Sequence, residues 1–226
     1  MNNKQGFWAD KGNLISLIFI ALMLLLGTLA YPHLPEQIPS HWNMRGEVDG
    51  YSGRAFGTYG MPLIILGLLL MFHFLPMIDP RHKNYDQFKK PYQVLKISVL
   101  ALMTMLYVIS MLYALGVPLN ISFLVNISIG FLFILIGNYL GKVKHNYFVG
   151  VKTPWTLASE DVWKKTHRLA GPLMAIAGAL FVLGAFIDHP AFYFIPIGGI
   201  LLAAFVPMIY SYLLYKKLYP DGQNKL

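Results

Sequence analysis

A chain of 226 residues that is 56% hydrophobic and only 12% charged holds too little polar surface to wrap a water-soluble globule, so it reads as an integral membrane protein. Its formal charge of +8 is spread over short connections with no continuous basic helix, which argues against direct nucleic-acid binding and for a membrane-orientation signal. The absence of cysteine excludes a disulfide framework, a thiolate metal site and a cysteine nucleophile.

In chain order, Lys4 and Lys11 precede an apolar run ending Gly27-Thr28-Leu29-Ala30. The run is longer than the core of a signal peptide, so a retained first span is expected. Six apolar segments reach the roughly 17–25 residues a membrane helix needs: Asn13–Ala30, Met61–Ile78, Val94–Leu115, Ile121–Leu140, Leu169–Ile187 and Tyr193–Tyr215. The runs are unbroken rather than alternating, and a helix satisfies its own backbone in lipid, so the predicted class is all-α. Sixteen of the 18 Lys and Arg residues fall in the N-terminal tail, the second and fourth connections and the C-terminal tail, whereas Arg45 and Arg54 alone lie in the first connection. Positive charge is retained in the cytoplasm, which predicts both termini inside. Gly171, Ala175 and Ala179 share one face of the fifth span, and Gly137 and Gly141 one face at the end of the fourth, as close backbone approach requires.

The first connection, 31–60, is rich in Pro, Gly and polar residues and longer than a helical hairpin needs. Asp49-Gly50 and Ser52-Gly53 are turn signals that would close a small hairpin. Trp42, Val48, Tyr51 and Phe56 give it something to pack, so an ordered extracellular cap is expected. His33, Glu36, His41, Glu47 and Asp49 match no zinc spacing, so no metal or other cofactor is predicted. No Ser sits in a nucleophile-type turn.

The stretch 137–172 carries six of the 18 Lys and Arg residues and two of the four Trp. Within it, 141–168 is expected to lie along the cytoplasmic face of a single membrane domain, 1–226. Thr153-Pro154 and Ser159-Glu160-Asp161 are two helix starts, placing Trp155, Val162 and Trp163 on a short helix that leads into the fifth span. Trp and Lys at this level also serve as plain interfacial anchors.

The segments NYLGK (138–142), NYFVGVKTPWTL (146–157) and VWKKTHRLAG (162–171) resemble the signature of the SdpI family, multi-pass bacterial proteins named for immunity to a sporulation-delaying toxin. LPEQIPSHWN (34–43) with GEVDG (46–50) resembles the domain of unknown function that commonly precedes that signature. The resemblance implies protection from a secreted hydrophobic peptide toxin and the holding of a cytosolic repressor at the membrane. In such a protein of the bacterial plasma membrane, Pro39, His41, Trp42, Asn43 and Asp49 of the outer loop are expected to face the toxin, holding the cap's shape or touching the peptide. Asn138, Asn146, Lys152, Thr153, Trp155, Trp163, His167 and Arg168 become contacts to a cytoplasmic partner or to lipid headgroups. Export of a small apolar molecule or peptide is the alternative, weakened because the spans hold no Asp, Glu or Arg at their centres and Lys96 and His73 lie near ends. A membrane enzyme ranks last, because no base and nucleophile stand at a telling spacing.

Overall fold

The computed structural model of the protein describes residue 7 and residues 10–43, 45–187, 189 and 191–220. Lys4 and Lys225, two of the cations behind the expected orientation, lie outside them. Helix makes up 76% of the structure. The elements are α1 (Lys11–Ala30), β1 (Gln37–Trp42), β2 (Val48–Gly53), α2 (Met61–Ile78), α3 (Lys89–Ala114), α4 (Ile121–Leu140), α5 (Pro154–Ala158), α6 (Glu160–Gly184) and α7 (Ala191–Leu218). Among the described residues, all of these helices but α5 are long and apolar enough to cross a membrane, six in number as expected. The fifth differs most in its start, at Glu160 rather than Leu169. Hydropathy marks the part of a helix that lipid would cover, whereas the helix begins where Ser159 caps it by accepting from the Val162 N–H, nine residues upstream. Pro172 therefore sits inside α6, where it removes the N–H that would bond the Arg168 carbonyl.

The chain forms two compact units: Met1–Phe74 with Lys96–Ser128, and Leu75–Leu95 with Ile129–Leu226. In the first, Ile20 and Met23 of α1, Ile65 and Leu69 of α2, and Leu100, Tyr107 and Met111 of α3 enclose Leu34 and the fully buried Ile38 from the 31–60 connection. Asp10 caps α1, accepting from the Gly12 N–H at 2.8 Å through one carboxylate oxygen and from Lys96 Nζ at 2.9 Å through the other. Lys96, 1% exposed, also donates to Asn13 Oδ1 at 2.7 Å. A cation that the sequence places merely near a helix end is thus withdrawn from solvent, and the pairing makes that burial tolerable.

In the second unit α4 and α6 meet through glycine. A Cβ on Gly137 would stand 2.6 Å from the Gly171 carbonyl oxygen, and one on Gly171 would stand 2.7 Å from that of Gly137. Backbone rests on backbone there, as the small-residue spacing requires. Further along the same two helices Phe133 and Phe181 stack, with ring centroids 6.3 Å apart.

Candidate functional site

The 31–60 connection folds as an antiparallel hairpin in which Gln37 pairs with Gly53, Pro39 with Tyr51 and Trp42 with Val48. Asp49-Gly50 and Ser52-Gly53 lie within β2, and the reversal falls instead at 43–47. Asn43 makes that turn: its Oδ1 accepts from the N–H groups of Arg45 at 2.9 Å and Glu47 at 3.1 Å, and its Nδ2 donates to the Glu47 carboxylate at 2.8 Å. A side chain that supplies three turn bonds outweighs a Gly dipeptide as a turn former. Exposed His41 and Asp49 bridge the strands, Nδ1 to Oδ1 at 2.5 Å. Pro39 is buried, and its carbonyl accepts from the Ser110 hydroxyl of α3. Trp42 packs edge-on to Tyr113, and its indole Nε1 is buried with no hydrogen-bond partner among the described residues.

The second cluster is built from the chain after α2 and the chain after α4. Asn146, fully buried, uses its whole amide on local backbone: it donates to the carbonyls of Lys144 and Val149 and accepts from the N–H groups of Phe148 and Val149. Thr153 and Thr156 form a reciprocal cap for α5. The Ser211 hydroxyl donates to the Met208 carbonyl, so the Thr153 hydroxyl, 2.9 Å away, donates to Ser211 Oγ. That chain of hydroxyls ties α5 to α7. The extended backbone of Ser159 breaks the helix between α5 and α6, so Trp155 and Trp163 stand on separate helices rather than on one. Trp155 packs against Tyr212 at 4.8 Å, and Trp163 is buried, donating to the Val143 carbonyl at 2.9 Å.

His167 lies stacked on Trp163 with ring centroids 4.0 Å apart. Its Nε2 accepts from the Val151 N–H at 2.9 Å, so the proton is on Nδ1, which donates to the Trp163 carbonyl at 2.8 Å. Both nitrogens of this fully buried ring are therefore committed to the neutral form. Gly150, at φ +120, is the residue that lets the backbone pass against that ring, because a Cβ there would collide with Nε2.

The turn after α2 grips this segment. The buried Asp79 carboxylate accepts from the Tyr147 N–H at 2.9 Å, the Tyr85 hydroxyl at 3.0 Å and the Arg81 N–H at 2.7 Å. Burial first, and the adjacent carboxylate second, push the Tyr85 phenol well above its ordinary value. Arg81 donates to His145 Nε2 at 2.8 Å and to the Leu157 carbonyl at 3.2 Å, and its guanidinium lies 4.6 Å over the Tyr147 ring. Asn84 donates to the His145 carbonyl at 2.7 Å. Because His145 accepts from a guanidinium it is neutral, and burial followed by that cation holds its pKa below the ordinary histidine value.

Residues 142–211 match the family model of the SdpI/YfhL protein family. Ahead of it, residues 18–66 match a domain of unknown function, DUF1648, in the order read from the sequence. The immunity protein SdpI of Bacillus subtilis (strain 168) is 28% identical over 208 residues, which span 92% of this chain and 98% of that protein. No solved structure matches. The SdpI/YfhL match contains Asn146, Thr153, Trp163 and His167, whose side chains are buried and bond within the chain. It also contains Lys152 and Arg168, which are exposed, and half-buried Trp155, whereas Asn138, exposed, lies ahead of it.

Asp79, Arg81 and Asn84 belong to neither matched segment, and sequence reasoning passed over them as part of a charged connection. Asp79-Pro80 immediately after an apolar run was the available local signal, a helix stop. Nothing local reveals that Asp79 meets Tyr147, 68 positions away. Lys96, Asp10 and Asn13 were missed as a group for the same reason.

Proposed function

We propose that the protein is a multi-pass immunity protein that shields its membrane from a secreted membrane-active peptide without chemically altering it. The observation that carries this reading is the similarity to an immunity protein, which runs over 92% of this chain and 98% of that relative. A match of that extent includes the hairpin, the six helices and the inner segment together. In this reading both termini are cytoplasmic, the hairpin faces outward, and the signature segment faces inward. Pro39, His41, Trp42, Asn43 and Asp49 then shape the outer surface that meets the peptide. On the inner side Asn146, Thr153, Trp163 and His167 hold the shape of a surface. Lys152, Arg168, Asn138 and the open face of Trp155 present it to lipid headgroups or to a cytosolic repressor. Signalling between the two sides requires the peptide to bind one arrangement of the helices better than another.

Expression in a host sensitive to such a peptide tests the proposal. Survival and a maintained membrane potential are expected, and killing at the rate of the empty host overturns it. A second reading, coupled transport, draws support from the buried Lys96–Asp10 pair with Asn13, since ionisable groups withdrawn into a helical membrane protein often mark an ion path. Lys96→Gln separates the two: it leaves protection by simple binding in place, but abolishes protection by pumping.

A further inference from the structure

Where the hairpin meets the carboxyl end of α3 the surface opens into a cleft of about 620 Å3. Gln37 and the Glu47 carboxylate line it beside the apolar and aromatic groups of Pro35, Pro39, Val48, Tyr51 and Tyr113. That volume is within the roughly 300–1,000 Å3 of small-ligand sites, room for a few side chains rather than for a whole helix. The walls are held before any ligand arrives. The Pro39 carbonyl is bonded to Ser110, Tyr113 is packed against Trp42, and Gly46 of the turn sits against Ser122 at the start of α4, where a Cβ would be 3.3 Å from that residue. The binding surface therefore needs little ordering to accept a ligand.

Two features say what fits. Tyr113 and Ala114 are the last residues of α3, and α4 begins at Ile121, so in the multi-pass reading the cleft lies at the depth where these helices leave the lipid. Molecules concentrated at that depth are amphipathic, with apolar groups towards the acyl chains and charges among the headgroups. Charge selects among them. Residues 31–60 carry three carboxylates against two guanidiniums, in a chain whose net charge is +8. Arg54, one of the two, is occupied by the Pro35 carbonyl, to which it donates, and by the Tyr31 ring, over which its guanidinium lies.

We propose that this cleft binds an amphipathic cationic peptide lying in the membrane interface, seating an apolar side chain between Tyr51 and Tyr113 and a basic one against Glu47. The inference rests on the immunity reading and names the part of the outer face that does the recognising. The ligand enters sideways from the membrane surface, so lipid binding concentrates it before the protein meets it.

The test uses the full chain in nanodiscs of mixed phosphatidylcholine and phosphatidylglycerol. The probe is a synthetic Leu/Lys amphipathic helix carrying one photoreactive leucine. Crosslinks are expected in 35–51 and at Tyr113. Glu47→Gln, which keeps an oxygen for the Asn43 amide, should weaken binding about tenfold, as should Tyr51→Ala. A Leu/Ser version of the probe should bind about tenfold more weakly to the wild type and no longer distinguish Glu47→Gln from it. Crosslinks scattered over lipid-facing helices, equal affinity of wild type and Glu47→Gln, or equal binding of the neutral probe would each overturn the proposal. Wild-type protection in the survival assay that persists in both cleft variants removes the cleft alone, whereas wild type that fails to protect removes the immunity reading beneath it.

Discussion

At the level of single residues, the segment around His167 is held by groups whose hydrogen-bonding capacity is used up. Gly150→Ala drives a Cβ into the imidazole and forces an alanine to φ +120. A loss of about 1–3 kcal/mol is expected, read as a lowered thermal midpoint in detergent. His145 contributes a pH dependence. Its folded pKa lies below the ordinary value, so neutral histidine is favoured in the fold and the unfolded chain takes up the proton first. The contribution is present above about pH 6.5, the ordinary histidine value, and is lost as pH falls from there through the lowered folded value. Thermal midpoints between pH 8 and pH 5 should fall with acidification in the wild type. In His145→Asn they should change less, and in Arg81→Ala the start should be lower by about 1–3 kcal/mol for the lost charged hydrogen bonds. A wild-type profile that matches His145→Asn would refute the assignment of the joint to His145.

At the level of elements, a six-residue strand pair in water would be marginal alone, and this one is stable because β1 places Ile38 at 0% exposure among α1, α2 and α3. Ile38→Ala should cost about 2–5 kcal/mol locally. The hairpin should become cleavable at 43–47 by a protease that spares the wild type, with helical circular dichroism unchanged. The contact of α4 with α6 makes the opposite demand. Gly171→Val would push a branched side chain onto the Gly137 carbonyl, and an overpacking loss of about 1–3 kcal/mol is expected. Unchanged stability there would mean the two helices part without cost.

For the whole molecule the decisive question is which side each connection occupies. Single cysteines at Gly53, where a Cβ meets nothing within 4 Å, and at exposed Lys165 address it. An impermeant thiol reagent applied to intact cells should label the first and spare the second until the cells are opened. The reverse pattern would exchange the assigned roles of the hairpin and the signature segment.

Length and apolar runs in the amino-acid sequence determined how many helices are long and apolar enough to cross a membrane and their approximate positions, because a backbone in lipid has few choices and each crossing must be long and continuous. The glycine spacing at 137 and 171 was legible too, because helical periodicity alone puts small residues on one face. The caps at Thr153 and Ser159 were legible because capping is local. What the tertiary structure alone decided was which polar residues meet: Asp79 with Tyr147, Arg81 with His145, Lys96 with Asp10, and Pro39 with Ser110. Those bonds join residues that only folding brings into reach, and nothing in the local sequence encodes their distance. The same cause turned Asn146, Trp163 and His167 from a surface into the frame of one, since burial belongs to the packed chain and not to the residue.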